Sequence, residues 1–284
     1  MREVMRPSLA ERTTLRLGGT AIAELVLEDA ADLAALPERL RALGGSPLIL
    51  GAGSNILARD GDLPLVLLRP RFMRGPEIAG EKDGKILVRV GAGVPLPRLL
   101  RFCAGQGLSG LEGLVGIPGS VGGAVAMNAG SFGTETCKNI ESIQIVSNEA
   151  VRRVTVDALQ YGYRRLSISE EKEGFMVVEA TFGLTEDARD GISKRMRHNF
   201  FEKKSKQPVT AWSAGCVFKN PAQDMPAGKL LELTGYKGKK LGGMAFSTLH
   251  ANFLINEGRV KEAVRQRFGY ALEPEVRIVP CRLP

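Results

Sequence analysis

Residues 107–133 read GLSGLEGLVGIPGSVGGAVAMNAGSFG. Glycine recurs here, and Leu, Val and Ile fall between the glycines. A run this dense loses much backbone entropy on folding. A flexible surface loop would not carry so many large apolar side chains, so the segment is expected to be partly buried. The gain that offsets the entropy is close approach of backbone to something flat or anionic. Within the core Gly116-Ile117-Pro118-Gly119-Ser120-Val121-Gly122-Gly123, Pro118 stiffens a turn and Ser120 is placed to cap a short helix. A helix N-terminus of that kind is a geometry that binds a pyrophosphate.

Working outward, the whole chain has 284 residues and 34 glycines, ten of them between Gly105 and Gly133. A second glycine turn precedes the block. LILGAGSNIL, residues 48–57, delivers a buried strand to Gly51-Ala52-Gly53-Ser54-Asn55. Its amides suit an anion, and equally a plain strand-to-helix turn. It is not the dinucleotide fingerprint GxGxxG, because Ile56 stands at the sixth position. No phosphate-binding GxxxxGK[ST] occurs. A third turn, Gly91-Ala92-Gly93, follows the strand KILVRVG.

Around these turns the pattern alternates strands and helices. Strands are expected at 24–28, 47–51, 63–69, 85–91, 140–146, 151–156 and 175–184. Helices are expected at 30–43, interrupted by Pro37, at 95–106 and at 187–206. Residues 71–85 read as polar and turn-rich, with Asp83-Gly84 as a hairpin turn. Gln207-Pro208 breaks the pattern. Boundaries near 70 and 206 divide the chain into 1–70, 71–206 and 207–284.

Composition excludes several classes. The charge is +8, from 39 Lys and Arg against 31 Asp and Glu, and apolar residues make up 44%. Such a chain folds, and its positive charge suits an anionic partner or a solvated basic surface. Two histidines, His198 and His250, cannot build a His-rich metal site, so no metal is expected. Cys103, Cys137, Cys216 and Cys281 form no CxxC pair and suggest neither zinc nor a disulfide framework. The start has no signal-peptide core, and no apolar run reaches the length of a membrane span. A cytoplasmic protein with no membrane partner is expected. A basic nucleic-acid module is disfavoured, since aromatics are only 6% and no binding motif is present.

Three further motifs carry candidate chemistry. YGYRR, 161–165, places Arg164 in a turn between two strands. A guanidinium there either packs its stem and solvates its head or clamps a carboxylate. SAGCVFKNP, 213–221, leads through small residues to Cys216, which could simply begin a strand. The C-terminal region has a basic turn with Lys237, Lys239 and Lys240, then FSTLHANFLIN, then LEPEVRIV with Glu273 and Glu275.

Taken in order, GAGSNIL, GIPGSVGGAVAMNAGSFG, YR, SAGCVFKNP, KGxxxGG, HANFLIN and LEPEV resemble the UDP-N-acetylenolpyruvoylglucosamine reductases of bacterial cell-wall precursor synthesis. The resemblance runs from about Thr14 to Val279 and is to the shorter subtype, without an insert in the third domain. It implies an α+β fold. Two subdomains, 1–70 and 71–206, would hold non-covalent FAD as in the vanillyl-alcohol-oxidase-like flavoproteins, and 207–284 would bind the UDP-sugar. Gly51, Ala52, Gly53, Ser54 and Asn55, with Gly116, Ile117, Pro118, Gly119, Ser120, Gly122 and Gly123, would cradle the FAD diphosphate. NADPH would reduce FAD, and a hydride from N5 would then reach C3 of the enolpyruvyl ether of UDP-N-acetylglucosamine.

The resemblance also assigns roles. Arg164 would bind the carboxylate and stabilise the enolate. Glu275 would assist as acid or polariser. Lys206, Asn220, Lys237 and His250 would contact the UDP-sugar. Cys216 stands where the family more commonly has a proton-donating serine. A thiol of reference pKa about 8.5 is mostly protonated at neutral pH and can donate to C2. A monomer is expected. A related sugar or alcohol oxidase is the rival reading, and FKNP, the 237–240 turn and LEPEV argue against it.

Overall fold

The strand Met176–Glu186 is the spine of the larger sheet, pairing with Ile140–Ser147 on one side and Lys85–Gly91 on the other. Ala150–Thr155 and Glu77–Lys82 lie outside these, giving an all-antiparallel path of five strands; Leu108–Ser109 adds to one end of the spine. Alternation decides which face is buried. Val88, Val90, Ile143, Ile145, Ala180 and Phe182 point into the core, whereas Ser142 and Gln144 occupy the alternate positions. The structure is a computed structural model and describes residues 1–147, 150–169, 171, 174–222, 224–256 and 277–279.

The helices Leu96–Gln106 and Val121–Ala126 pack on that apolar face. Helix α1 spans Ala30–Leu43, α2 Leu96–Gln106, α3 Val121–Ala126, α4 Arg189–Lys206 and α5 Ala227–Leu233. In α2 the buried residues Leu96, Leu99, Leu100 and Cys103 recur at helical spacing, and Gly107 ends the helix at φ 73°. Val121 and Val125 of α3 join the same core.

Two sequence expectations change. Helix α1 runs through Pro37 without interruption. Proline removes one backbone donor, and burial of Leu33 and Leu36 holds the helix together across it. Residues 71–85 are not all turn: Glu77–Lys82 is a strand. Its pattern is exposed, so it carries no hydrophobic signal. Asp83 at φ 50° and Gly84 at φ 72° form the expected hairpin turn to Lys85–Gly91.

Packing groups the chain into two units. One comprises Met1–Glu3, Glu24–Gly51 and Val66–Phe201, and contains the sheet just described. The other comprises Val4–Ala23, Ala52–Leu65 and Glu202–Pro284. It contains an antiparallel sheet in the order Ser213–Cys216, Phe253–Asn256, Met244–Phe246, Lys240–Leu241. Leu15, Ala214, Met244, Phe246 and Leu254 form its core, with Tyr236 edge-on to Phe246 at 5.3 Å. Ile56–Ala58 pairs in parallel with Arg277–Val279.

One polar cluster fixes the entry to the glycine block. The buried Glu112 carboxylate accepts from the Ser109 hydroxyl at 2.7 Å, from the Gly110 amide at 2.7 Å and from Arg195 of α4 at 2.7 Å. Burial pushes the Glu112 pKa up, but these donors outweigh it and the net shift is downward. A depressed folded-state pKa stabilises the fold above the ordinary carboxylate range, and that stability is lost as pH falls through the folded value. Glu112→Gln is expected to cost about 2 kcal/mol at neutral pH, discounted for the half-exposed Arg195. Urea titrations of both proteins should show the difference shrinking on acidification; a gap that holds constant below the carboxylate range would contradict this account.

Candidate active site

The glycine block approaches its neighbours so closely that side chains are excluded. The Val121 amide donates to the Val94 carbonyl and the Gly122 amide to the Ala92 carbonyl, both at 2.9 Å. A Cβ on Gly122 would stand 2.8 Å from the Ala92 Cβ. Ser120 caps α3, its hydroxyl accepting from the Gly123 amide at 3.4 Å. The cap is as expected, but the supply of donors differs from the sequence reading. The amides of Val121, Gly122 and Gly123 are all bound to the protein. Among the described residues, it is the amides of Gly116, Gly119 and Ser120 that donate to no protein acceptor.

The first glycine turn meets this block directly at one point. A Cβ on Gly51 would lie 2.7 Å from the Ser120 hydroxyl oxygen. Gly51, Ala52 and Gly53 likewise have amides with no protein acceptor among the described residues. Gly53 takes φ 67°, and a Cβ on it would strike the Arg12 carbonyl at 2.1 Å. The Thr14 amide donates to the Gly53 carbonyl at 3.1 Å. The segment ERTTLRLGG therefore braces the turn, a role that no motif in it signals. Gly51 and the Gly116–Ser120 loop, with their unbound amides in one packing unit, fit an anionic group such as a dinucleotide diphosphate.

Arg164 sits at the tip of a hairpin. Gly162 pairs with Arg165, closing a turn of Tyr163 and Arg164, and Arg164 itself takes φ 55°. A left-handed backbone at a non-glycine residue is strained by about 1 kcal/mol and persists where surroundings enforce it. The guanidinium donates to the Gly130 carbonyl at 3.1 Å and lies 5.2 Å from the Tyr163 ring. A turn is present, but it joins the short strands Leu159–Gly162 and Arg165–Ile168, which the sequence pattern did not mark, and its arginine reaches the end of the glycine block.

Three of the four expected sugar-binding residues gather on α5. The Asn220 side chain accepts from the Ala227 amide at 3.0 Å. The His250 ring packs where a Cβ on Gly228 would sit, and Lys237 pairs with Glu232 at 2.8 Å. Burial first, and the Lys237 charge after it, push the His250 pKa down, so the ring is neutral. Its Nδ1 accepts from the Asn252 amide at 3.2 Å, which leaves the proton on Nε2 as a donor. Lys206 is elsewhere, on α4 beside Glu202. Sequence reasoning missed Asn252, whose buried side chain clamps Phe218 by accepting from its amide and donating to its carbonyl.

Cys216 ends the strand Ser213–Cys216 rather than beginning one, and pairs with Phe253 after a bulge at Gly215. It is half-buried, whereas Cys103 and Cys137 are fully buried and burial pushes each thiol up to about 12. Those two are inert; Cys216 is the described cysteine open to chemistry. Glu275, with Glu273 and Cys281, lies outside the described residues. Among the described residues no cluster of metal-ligating side chains exists, and no helix is long and apolar enough to cross a membrane.

Comparison with known proteins matches both parts of this arrangement. The profile "FAD binding domain" matches residues 22–154, and "UDP-N-acetylenolpyruvoylglucosamine reductase, C-terminal domain" matches 207–279. The UDP-N-acetylenolpyruvoylglucosamine reductase of Nitratidesulfovibrio vulgaris is 48% identical, over 96% of this chain and 97% of that one. The chain belongs to this reductase family. A relative of the same description from Oleidesulfovibrio alaskensis is 47% identical with the same coverage. The crystal structure of the Thermus caldophilus reductase superposes with a TM-score of 0.80 at 33% identity, covering 98% of each chain. The fold is accordingly the expected α+β flavoprotein fold with a C-terminal substrate domain. Membership of the family makes the chain an FAD-dependent oxidoreductase of peptidoglycan precursor synthesis.

The close approach at Gly51 yields a direct test. Gly51→Ala pushes a methyl group against the Ser120 hydroxyl, at the usual overpacking cost of about 1–3 kcal/mol. Purified protein should carry less flavin, and titration of the apoprotein should show weaker FAD affinity. Wild-type affinity would remove Gly51 and Ser120 from the cradle.

Proposed function

We propose that this chain reduces the enolpyruvyl ether of UDP-N-acetylglucosamine to the lactyl ether, UDP-N-acetylmuramate, with NADPH as reductant. FAD, when bound, supplies hydride transfer from NADPH, by way of N5, to C3 of the enolpyruvyl group. The observation that carries the reading is the placement of Arg164. It is strained at a hairpin tip and tied to Gly130, in the same glycine block that offers the unbound amides of Gly116, Gly119 and Ser120. A carboxylate fork and a diphosphate cradle thus belong to one piece of structure.

The chain's own residues then divide the work. Arg164 holds the enolpyruvyl carboxylate and stabilises the charge that builds on it as C3 gains its hydrogen. The Cys216 thiol delivers the proton to C2, and Glu275 assists as acid or polariser. Gly51 to Asn55 and the loop from Gly116 to Ser120 hold the FAD diphosphate, while Gly122 and Gly123, whose amides are already bound, support that loop from α3. Asn220, Lys237 and His250, with Lys206, hold the UDP-sugar, the neutral His250 acting as a hydrogen-bond donor rather than a cation. Residues 1–70 and 71–206 serve as the two FAD-binding parts and 207–284 as the substrate part; the C-terminal profile match, which begins at 207, is in keeping with the last boundary. The enzyme acts as a cytoplasmic monomer, and its product feeds cell-wall biogenesis, hence cell shape and division.

Anaerobic spectroscopy separates the steps. NADPH should bleach the flavin absorbance, and the UDP-enolpyruvyl sugar should restore it. Cys216→Ser should keep turnover. Cys216→Ala should bleach normally but recolour about a hundredfold more slowly or worse, the usual cost of losing a general acid. Normal recolouring in the alanine variant would exclude Cys216 as the donor, and recolouring by oxygen alone would point to an oxidase.

A further inference from the structure

Asn128 lies in AVAMNAG, just past α3, and is 1% exposed. Its backbone forms the helix stop. The Asn128 amide donates to the Val125 carbonyl at 3.0 Å and the Ala129 amide to the Ala124 carbonyl at 2.8 Å, with Asn128 at φ 39°. That pair of bonds is the Schellman pattern, and asparagine is the residue other than glycine that best tolerates its left-handed position.

The side chain does something a helix stop does not require. Its Nδ2 donates to the Gly162 carbonyl at 2.9 Å and to Glu135 Oε2 at 2.9 Å, and its Oδ1 accepts from the Cys137 amide at 3.0 Å. A backbone carbonyl on one side and a backbone amide on the other settle which end carries nitrogen. The residue therefore joins three segments: the end of α3, the Glu135–Cys137 stretch and the hairpin that carries Arg164. Gly162 is the last residue before the Tyr163–Arg164 turn. Glu135 adds a second link, for its carboxylate lies close enough to Arg164 to feel its charge, after the larger effects of Lys138 and Asn128.

We infer that Asn128 is a positioning residue for Arg164, setting the hairpin tip against the glycine block by way of α3 and so tuning recognition of the enolpyruvyl carboxylate. At about 1.5 Å per residue, the six residues of α3 span about 9 Å between the Ser120 cap and this clamp. The clamp touches neither substrate nor cofactor; it acts through Gly162 and Glu135. The inference rests on the carboxylate role proposed for Arg164.

The test compares two ligands that differ by the carboxylate-bearing group. Calorimetry on the FAD-loaded enzyme would measure binding of the UDP-enolpyruvyl sugar and of UDP-N-acetylglucosamine. Asn128→Gly keeps the left-handed backbone and deletes the clamp. It should retain flavin and its affinity for UDP-N-acetylglucosamine, yet lose about tenfold or more for the enolpyruvyl ether, the worth of one charge-assisted contact. Combined with Arg164→Ala it should add no further loss, because the two act through one contact. Asn128→Asp places a carboxylate against Glu135. It should bind the enolpyruvyl ether poorly at neutral pH and recover as pH falls, when the shared proton restores a donor.

Equal loss for both ligands would overturn the proposal, as would no loss, additive loss in the double variant, or failure of both Asn128 variants to hold flavin. Each would make the residue a plain staple of the fold or no contributor at all. If Arg164→Ala alone leaves the preference for the enolpyruvyl ether intact, the role assigned to Arg164 falls, and the Asn128 proposal falls with it.

Discussion

The contact between α3 and the Gly91–Val94 turn is the constraint on which the rest of the larger unit depends. Gly122 lies so close to Ala92 that a Cβ would stand 2.8 Å away, and the amides of Val121 and Gly122 bond to the carbonyls of Val94 and Ala92. Both turns must be nearly bare for this to occur. On the other side of the turn, a Cβ on Gly91 would strike the Phe72 carbonyl at 2.1 Å, and one on Gly93 would stand 2.8 Å from the Arg71 Cα. The glycine excess in these turns is thus partly a packing requirement. It stacks three backbone segments without side chains between them.

From that contact, consequences run both ways along α3. At its start, the helix amides are consumed by the protein, and the amides with no protein acceptor among the described residues are those of Gly116, Gly119 and Ser120 in the preceding loop, where the proposed anion binding would fall. At its end, Asn128 fastens the hairpin of Arg164. A helix of six residues has almost no intrinsic stability. It is held by tertiary bonds at both ends and by Val121 and Val125 in the core. Its shortness leaves little to flex between the Gly116–Ser120 loop and the arginine.

The smaller unit shows the same economy around α5. Asn220 satisfies the first amide of the helix, His250 fills the space Gly228 leaves open, and Lys237 pairs near its end. Residues expected to meet a diphosphate sugar are therefore also the residues that secure α5. His250 shows how burial alters a role: a ring that would be partly charged in water is neutral here and offers only a hydrogen bond.

Much of this was legible in the chain. Helical spacing in α2, the Asp83-Gly84 turn, the strand ends at the glycine turns and the ordered motifs all depend on local chemistry, which the sequence carries residue by residue. The strand Glu77–Lys82 was not legible, since an exposed edge strand has no apolar period. Nor was the continuity of α1 through Pro37, which depends on burial of Leu33 and Leu36. The motifs identified Arg164, Cys216 and the two glycine stretches without saying what holds them. Only the tertiary structure decided that the α3 amides are already used, that Asn128 reaches Gly162 across 34 residues, and that Thr14 braces Gly53 across 39. The physical reason is that hydrogen bonds between distant segments form in space, and residue order carries no period or spacing that marks them.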